Sequence, residues 1–151
     1  MNPDLRDLYQ QMIMDHNKNP MNFREIRDAT SRAEGFNPLC GDHLHVYLKM
    51  NGDRIEDISF EGAGCAISKA AGSMMTAALK GKTRAEAEGL FAEVRAMLSR
   101  EPGMPVNAEK LGKLAVFAGV CEFPLRVKCA SLAWHTMMEA IAPTGKQVST
   151  E

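Results

Sequence analysis

The chain has 151 residues, 45% hydrophobic and 25% charged, with 18 basic against 19 acidic side chains and a formal net charge of -1. That balance excludes whole-molecule attraction to nucleic acid or an anionic membrane, and the length fits one domain able to bury a core without disulfide staples. The start, from Met1 to Asp7, lacks the basic then apolar pattern of a secretory signal, and no apolar run approaches a membrane span. A cytoplasmic setting is therefore expected, where four reduced cysteines read as ligands or nucleophiles.

Pro3 suits the first turn of a helix, Asn2 can cap it, and Leu5, Leu8, Met12 and Ile13 form an apolar stripe that ends before Pro20. Residues 17 to 28 are rich in Asn, Pro, Arg and Asp and read as an irregular connection, followed by a weakly marked strand from Ala29 to Phe36. From His43 to Met50 the alternation is clear: Leu44, Val46, Leu48 and Met50 on one face, His43, His45, Tyr47 and Lys49 on the other. Asn51-Gly52-Asp53 signals a hairpin into a return strand with Ile55, Ile58 and Phe60, where the change of parity predicts a bulge.

After Gly62-Ala63-Gly64 the period turns helical through Ile67, Ala70, Ala71, Met74, Ala78 and Leu79, stopping at Gly81. Thr83 with Glu86 forms a capping box for a helix closed by Pro102-Gly103-Met104-Pro105. Asn107 caps another, expected to run to Gly119, and Pro124 starts a last one that Pro143 and Gly145 stop. The order predicts an α+β fold: a small antiparallel three-stranded sheet packed against several helices, one domain over residues 1–142 and a polar tail over 143–151.

The chemistry concentrates in Asn37-Pro38-Leu39-Cys40-Gly41-Asp42, in Gly62-Ala63-Gly64-Cys65 and in Arg126-Val127-Lys128-Cys129. Extending the strand parity backwards puts Asp42 and Cys40 on the covered side of the sheet unless Gly41 breaks it. Cys65 falls at a helix N-terminus, where unpaired N–H groups favour a thiolate, and Cys129 lies in the first two turns of the Pro-started helix. Three thiols and one carboxylate suit tetrahedral zinc, and the same donors could hold an iron-sulfur cluster. The hard oxygen weakens the grip on soft metals, which favours exchange over permanent electron transfer.

Arg126 and Lys128 beside Cys129 could offset the charge of such a site or steer an anionic partner. Cys121, in a turn with no second ligand type nearby, reads as a packed thiol; His43 and His45 form a His-x-His pair that can bind metal, but Tyr47 and Lys49 continue the same face, which favours a solvated strand face. His16 and His135 carry no expected role, and the eleven methionines read as core filling.

These motifs carry a resemblance. Leu8-Tyr9-Gln10 through Met14-Asp15-His16 with Lys18-Asn19-Pro20, then Asn37-Pro38-x-Cys40-Gly41-Asp42, Phe60-Glu61-Gly62-x-Gly64-Cys65-x-Ile67-Ser68 and Phe123-Pro124-x-Arg126-Val127-Lys128-Cys129-Ala130 with Leu132-Ala133-Trp134, resemble the IscU/SufU family of iron-sulfur cluster assembly proteins. The resemblance runs from about Leu5 to Ile141 and implies that Cys40, Asp42, Cys65 and Cys129 form the metal site. It is closer to the SufU type. Lys128 stands where IscU proteins carry a His, and the helical stretch from Thr83 to Pro105 looks like the SufU insertion.

The SufU-type resemblance implies a zinc-dependent sulfurtransferase that takes persulfide sulfur from a pyridoxal-phosphate cysteine desulfurase of the SufS type and works with downstream iron-sulfur assembly proteins. In that reading Cys40 carries the persulfide, on a Gly41-hinged loop that could let it leave the metal. An IscU-like scaffold building a transient iron-sulfur cluster on the same four residues is the alternative. A structural zinc domain that only docks a partner is a third.

Overall fold

The computed structural model describes residues 3–150, with side chains from residue 5 onward; the cap expected at Asn2 lies outside the described residues. A helix α1 (Pro3–Lys18) leads through an irregular turn into three antiparallel strands, β1 (Ser31–Asn37), β2 (Asp42–Asn51) and β3 (Arg54–Ala63). Helices α2 (Ala66–Leu79), α3 (Arg84–Ser99), the short α4 (Ala108–Leu111), a 3-10 segment Gly112–Glu122 and α5 (Pro124–Ile141) follow. This is the expected α+β order, with a fourth strand added.

That strand, β4 (Val148–Ser149), lies within the stretch expected to be a polar tail and pairs parallel to β1, giving the sheet order β3-β2-β1-β4. Two residues rich in neither apolar nor turn signal are too short for periodicity to reveal. The bulge falls where the parity change puts it: Lys49 pairs with Asp57 and Met50 with Ile55, so Glu56 is the extra residue.

Helices cover one face of the sheet. Leu44, Val46 and Leu48 of β2 and Ile58 and Phe60 of β3 are fully buried against a core that includes Met75 and Leu79 of α2 and Leu132, Trp134 and Met137 of α5. Burying a side chain of that size contributes about 1.5–3 kcal/mol, so this layer carries most of the stability. The opposite face bears His43, His45 and Lys49, all half-buried, but Tyr47 on the same face is buried. Its ring lies beneath the Arg32 guanidinium at 5.4 Å and its hydroxyl donates to Glu61 at 2.6 Å, so neighbouring polar chains cover it.

Local signals in the helices hold with two exceptions, the first being the apolar stripe of α1, where Ile13 is buried and Met12 half-buried but Leu5 and Leu8 stand exposed. Thr83 and Glu86 make both halves of the capping box, at 3.0 and 3.1 Å. Asn107 caps α4, its side chain accepting from the Lys110 N–H at 3.3 Å, but the α-helix stops at Gly112 instead of running to Gly119. Gly112 has a φ of +54°, outside the helical region, and the chain continues as 3-10 turns whose side chains Leu114, Val116 and Phe117 still face the core. Among the described residues no helix is long and apolar enough to cross a membrane.

Candidate metal centre

Three local structures deliver the four donors to one end of the sheet. Between β1 and β2 the chain reverses in four residues, with the Cys40 N–H donating to the Asn37 carbonyl at 3.3 Å and Gly41 at a φ of +71°, a region that side chains disfavour. That left-handed step breaks the parity extended back from Leu44. Asp42 is fully buried on the helix side, as expected, whereas Cys40 stands exposed at the loop tip.

Cys65 is the N-cap of α2. Its extended backbone (φ -71°, ψ 169°) aims Sγ back at the first turn, where it accepts from the Ser68 N–H at 3.4 Å. The same residue's own N–H donates to Asp42 Oδ1 at 2.8 Å, so helix start and strand start are tied together. The approach requires Gly64: a Cβ there would lie 2.7 Å from Asp42 Oδ1. Pro124 opens α5 at its first turn, and Cys129 sits in the second turn, 1% exposed, its thiol facing the Leu125 carbonyl at 3.6 Å.

The donor atoms of Cys40, Asp42 and Cys129 all lie within 4.8 Å of one another. Cys65 is not within that 4.8 Å group; it is tied to it by its backbone N–H, which donates to Asp42 Oδ1, and its Sγ caps α2. Burial pushes the Cys129 thiol far above its usual range, and hydrogen bonds with Cys40, Cys65 and Asp42 push it the same way. The buried Asp42 carboxylate has no cationic side chain in ion-pair reach among the described residues. Three thiols and a buried carboxylate, with no cationic side chain in ion-pair reach of Asp42 among the described residues, are a set that fits a dication.

Asn37 opens the first sequence motif, which assigns it no role. Fully buried at the end of β1, it donates through Nδ2 to Asp42 Oδ2 at 3.2 Å and to Cys129 Sγ at 3.4 Å. It holds a strand residue and a helix residue in one geometry. An Asn five residues before an Asp, just ahead of a Pro-started loop, was the available signal.

The basic residues are placed less directly. Arg126 is exposed, its guanidinium 4.7 Å from the Phe123 ring, and it lines a cleft of about 250 Å³ with Arg6, Tyr9, Gln10, Ile67 and Phe123. Lys128 is half-buried on α5. Cys121 stands apart from the cluster, accepting from Arg100 Nη1 at 3.3 Å, in keeping with a packed thiol. His16 bonds Ser73 at 2.7 Å, and His135 packs edge-on against Phe91 with ring centroids 5.2 Å apart.

The family described as NifU-like N terminal domain matches residues 8–142. The chain is 40% identical over 144 residues to the zinc-dependent sulfurtransferase SufU of Bacillus subtilis, covering 93% of this chain and 94% of that protein. It is also 40% identical over 137 residues to the iron-sulfur cluster assembly scaffold protein IscU of Streptococcus pyogenes, covering 91% and 84%. Among solved structures, one described as an iron-sulfur cluster assembly scaffold protein for the SUF system (FiSufU) of Fervidobacterium islandicum superposes with a TM-score of 0.81 at 35% identity, over 90% of this chain and 98% of that one.

Proposed function

Because the chain belongs to the NifU-like N terminal domain family, we propose that it is a zinc-dependent sulfurtransferase of iron-sulfur cluster assembly, with Cys40 accepting sulfur from a cysteine desulfurase of the SufS type. The observation that carries this reading is the inequality of the donors: Cys40 is exposed at a loop tip, while Asp42 and Cys129 beside it are buried. A sulfur acceptor needs one thiol that a partner can reach and others that stay put.

Cys40, Asp42, Cys65 and Cys129 would hold the zinc, a closed set of four donors. Bound zinc keeps its sulfur ligands as thiolates at neutral pH. The chain's own residues do the rest. Asn37 and the Cys65 N–H orient Asp42 from two sides, and the turn at Gly41 presents Cys40 outward. Cys40 Sγ attacks the outer sulfur of the desulfurase cysteine persulfide. A new S–S bond forms on Cys40, the desulfurase S–S bond breaks, and its electron pair leaves with the desulfurase cysteine as thiolate; the transferred sulfur keeps its proton.

Around Cys40 the surface suits a protein partner. Leu39, Phe123 and Leu125 are large exposed apolar side chains on the loop and helix that carry Cys40 and Cys129. Arg126 and Lys128 on α5 supply positive charge that would steer an anionic partner surface.

Desulfurase turnover with cysteine, measured with the zinc-loaded chain and with Cys40→Ala, tests the proposal. Faster turnover with the parent and none with the variant is expected. Equal turnover with both would overturn it. The scaffold reading is favoured by the equal identity to a protein named as an IscU scaffold; reconstitution with iron and sulfide, giving a cluster that the zinc-free chain holds through these four residues, would establish it.

A further inference from the structure

The sheet carries a second convergence of ligating side chains, on its outer face. His43 and His45 sit two apart on β2, so their imidazoles project to the same side, opposite to Asp42 and Leu44. In the sheet register Glu34 of β1 lies directly across from His45, and Phe36 across from His43. The sequence shows the His-x-His pair but not Glu34 as its third member, because cross-strand pairing is invisible along one strand.

Both imidazole Nε2 atoms lie 2.9 Å from one and the same oxygen, Glu34 Oε2. The donor atoms of all three residues are within 4.8 Å of one another. His43 Nε2 is shielded from water and, despite its closeness to the carboxylate, has no aligned hydrogen-bond partner. A nitrogen so shielded from water relies on the group beside it, and an ion held between His43 and Glu34 would satisfy it as well as the carboxylate does.

The surroundings fix the three groups in place. The Gln147 side chain donates to Glu34 Oε1 at 2.6 Å, leaving Oε2 for the histidines. The Phe36 ring stacks on His43 at 4.1 Å between centroids, with an interplanar angle of 25°. The two imidazoles lie 4.9 Å apart, centroid to centroid. Metal–nitrogen and metal–oxygen bonds of about 2.0–2.2 Å place tetrahedral ligand atoms about 3.3 Å apart, so opening the present 2.9 Å contacts by a few tenths of an ångström admits an ion.

We propose that Glu34, His43 and His45 form a second metal site, which binds an exchangeable divalent transition-metal ion on the face of the sheet opposite the cysteine cluster. Two imidazoles and a carboxylate select zinc, nickel, copper or iron over magnesium and calcium. All three side chains are roughly two-fifths exposed, at 38–40%, so further coordination positions open to water and the ion can come and go. Adjacent residues Asp42 and His43 then serve two centres from the two faces of one strand.

The test uses the full chain with its cysteine cluster preloaded with zinc, dialysed against nickel(II), with zinc and nickel counted per chain by elemental analysis and the histidine ring protons followed by NMR. One zinc retained and one nickel gained are expected, with nickel broadening the signals of His43 and His45 and sparing those of His16 and His135. His45→Ala, away from the cysteine loop, is expected to lose the nickel while keeping the zinc, which also certifies its fold. Glu34→Gln, which keeps the shape and removes the charge, is expected to lose nickel at the same concentration. No nickel on the parent, nickel retained by His45→Ala, or broadening centred on His16 or His135 would overturn the proposal.

Discussion

Replacing Asn37 by alanine removes two hydrogen bonds from one buried amide, to Asp42 Oδ2 at 3.2 Å and to Cys129 Sγ at 3.4 Å. Asp42 Oδ2 is left buried without a donor, which costs about 1–3 kcal/mol. The bond to sulfur and the small cavity add about 1 kcal/mol more, and the unpaired Asn37 Oδ1, a buried orphan in the parent, gives a little back. The metal-free chain is thus expected to lose about 2–3 kcal/mol, a large share of a typical total of roughly 5–15 kcal/mol. Zinc affinity is expected to fall about 10–100-fold, the usual effect of removing a group that orients a metal ligand. Urea unfolding of the metal-free chain reads the first quantity and chelator competition the second. Asn37→Asp keeps the shape but replaces the donor with an acceptor, and is expected to be worse on both. An Asn37→Ala chain with the parent's midpoint and the parent's zinc affinity would refute the assignment of Asn37 as the residue that joins strand and helix at the site.

Three further outcomes are expected. Removing zinc with a chelator should lower the thermal midpoint reversibly, because a ligand at about 1,000 times its Kd contributes about 4 kcal/mol, on the order of 10 °C for a chain of this length; a midpoint unmoved by chelation would deny a bound metal any part in the fold. Burial holds the His135 imidazole below its ordinary value of 6.5, and Arg95 lowers it further. The folded state therefore prefers the neutral ring, and its contribution is complete above pH 6.5 and lost as the pH falls through the folded-state value. Urea midpoints should drop on that acid side, less steeply in His135→Gln; the same slope in both would contradict it. Cys121→Ser should leave zinc content and sulfur acceptance unchanged, since Cys121 bonds Arg100 and none of the four donors; loss of zinc would bring it into the site.

The fold was legible wherever a local rule decides it. Alternation from Leu44 to Leu48 fixes β2, Thr83 with Glu86 fixes the start of α3, and the step from Ile55 to Ile58 marks the bulge at Glu56. What was hidden depends on contacts between distant segments. The β4 strand forms because the Thr150 N–H donates to the Phe36 carbonyl at 3.1 Å and Val148 pairs with Gly35, partners over a hundred residues away. The spacing of Leu111, Leu114, Ala115 and Ala118 reads as α-helix, but the positive φ of Gly112 ends α4 and the chain runs on to Glu122 in 3-10 turns, with Val116, Phe117 and Val120 buried as well.

The candidate centre divides the same way. Each cysteine sat at a recognisable local feature, a Gly-flanked loop or a helix start, so the donor types could be named from the sequence. Their convergence could not, because it comes from Asn37 and the Cys65 N–H gripping Asp42 from different elements. The exposure of Cys40 turned on a single dihedral, the positive φ of Gly41, which overrode the alternation of the strand that follows. Glu34 escaped notice for the complementary reason: its chemistry is created by register, not by neighbours in sequence.

The most direct test of the central claim is peptide mapping by mass spectrometry of the zinc-loaded chain after incubation with its own organism's cysteine desulfurase and cysteine. One sulfur atom added on the peptide that carries Cys40, and none on those that carry Cys65, Cys121 or Cys129, is the predicted result. Sulfur spread over several cysteines, or an unmodified Cys40 beside an active desulfurase, would contradict it.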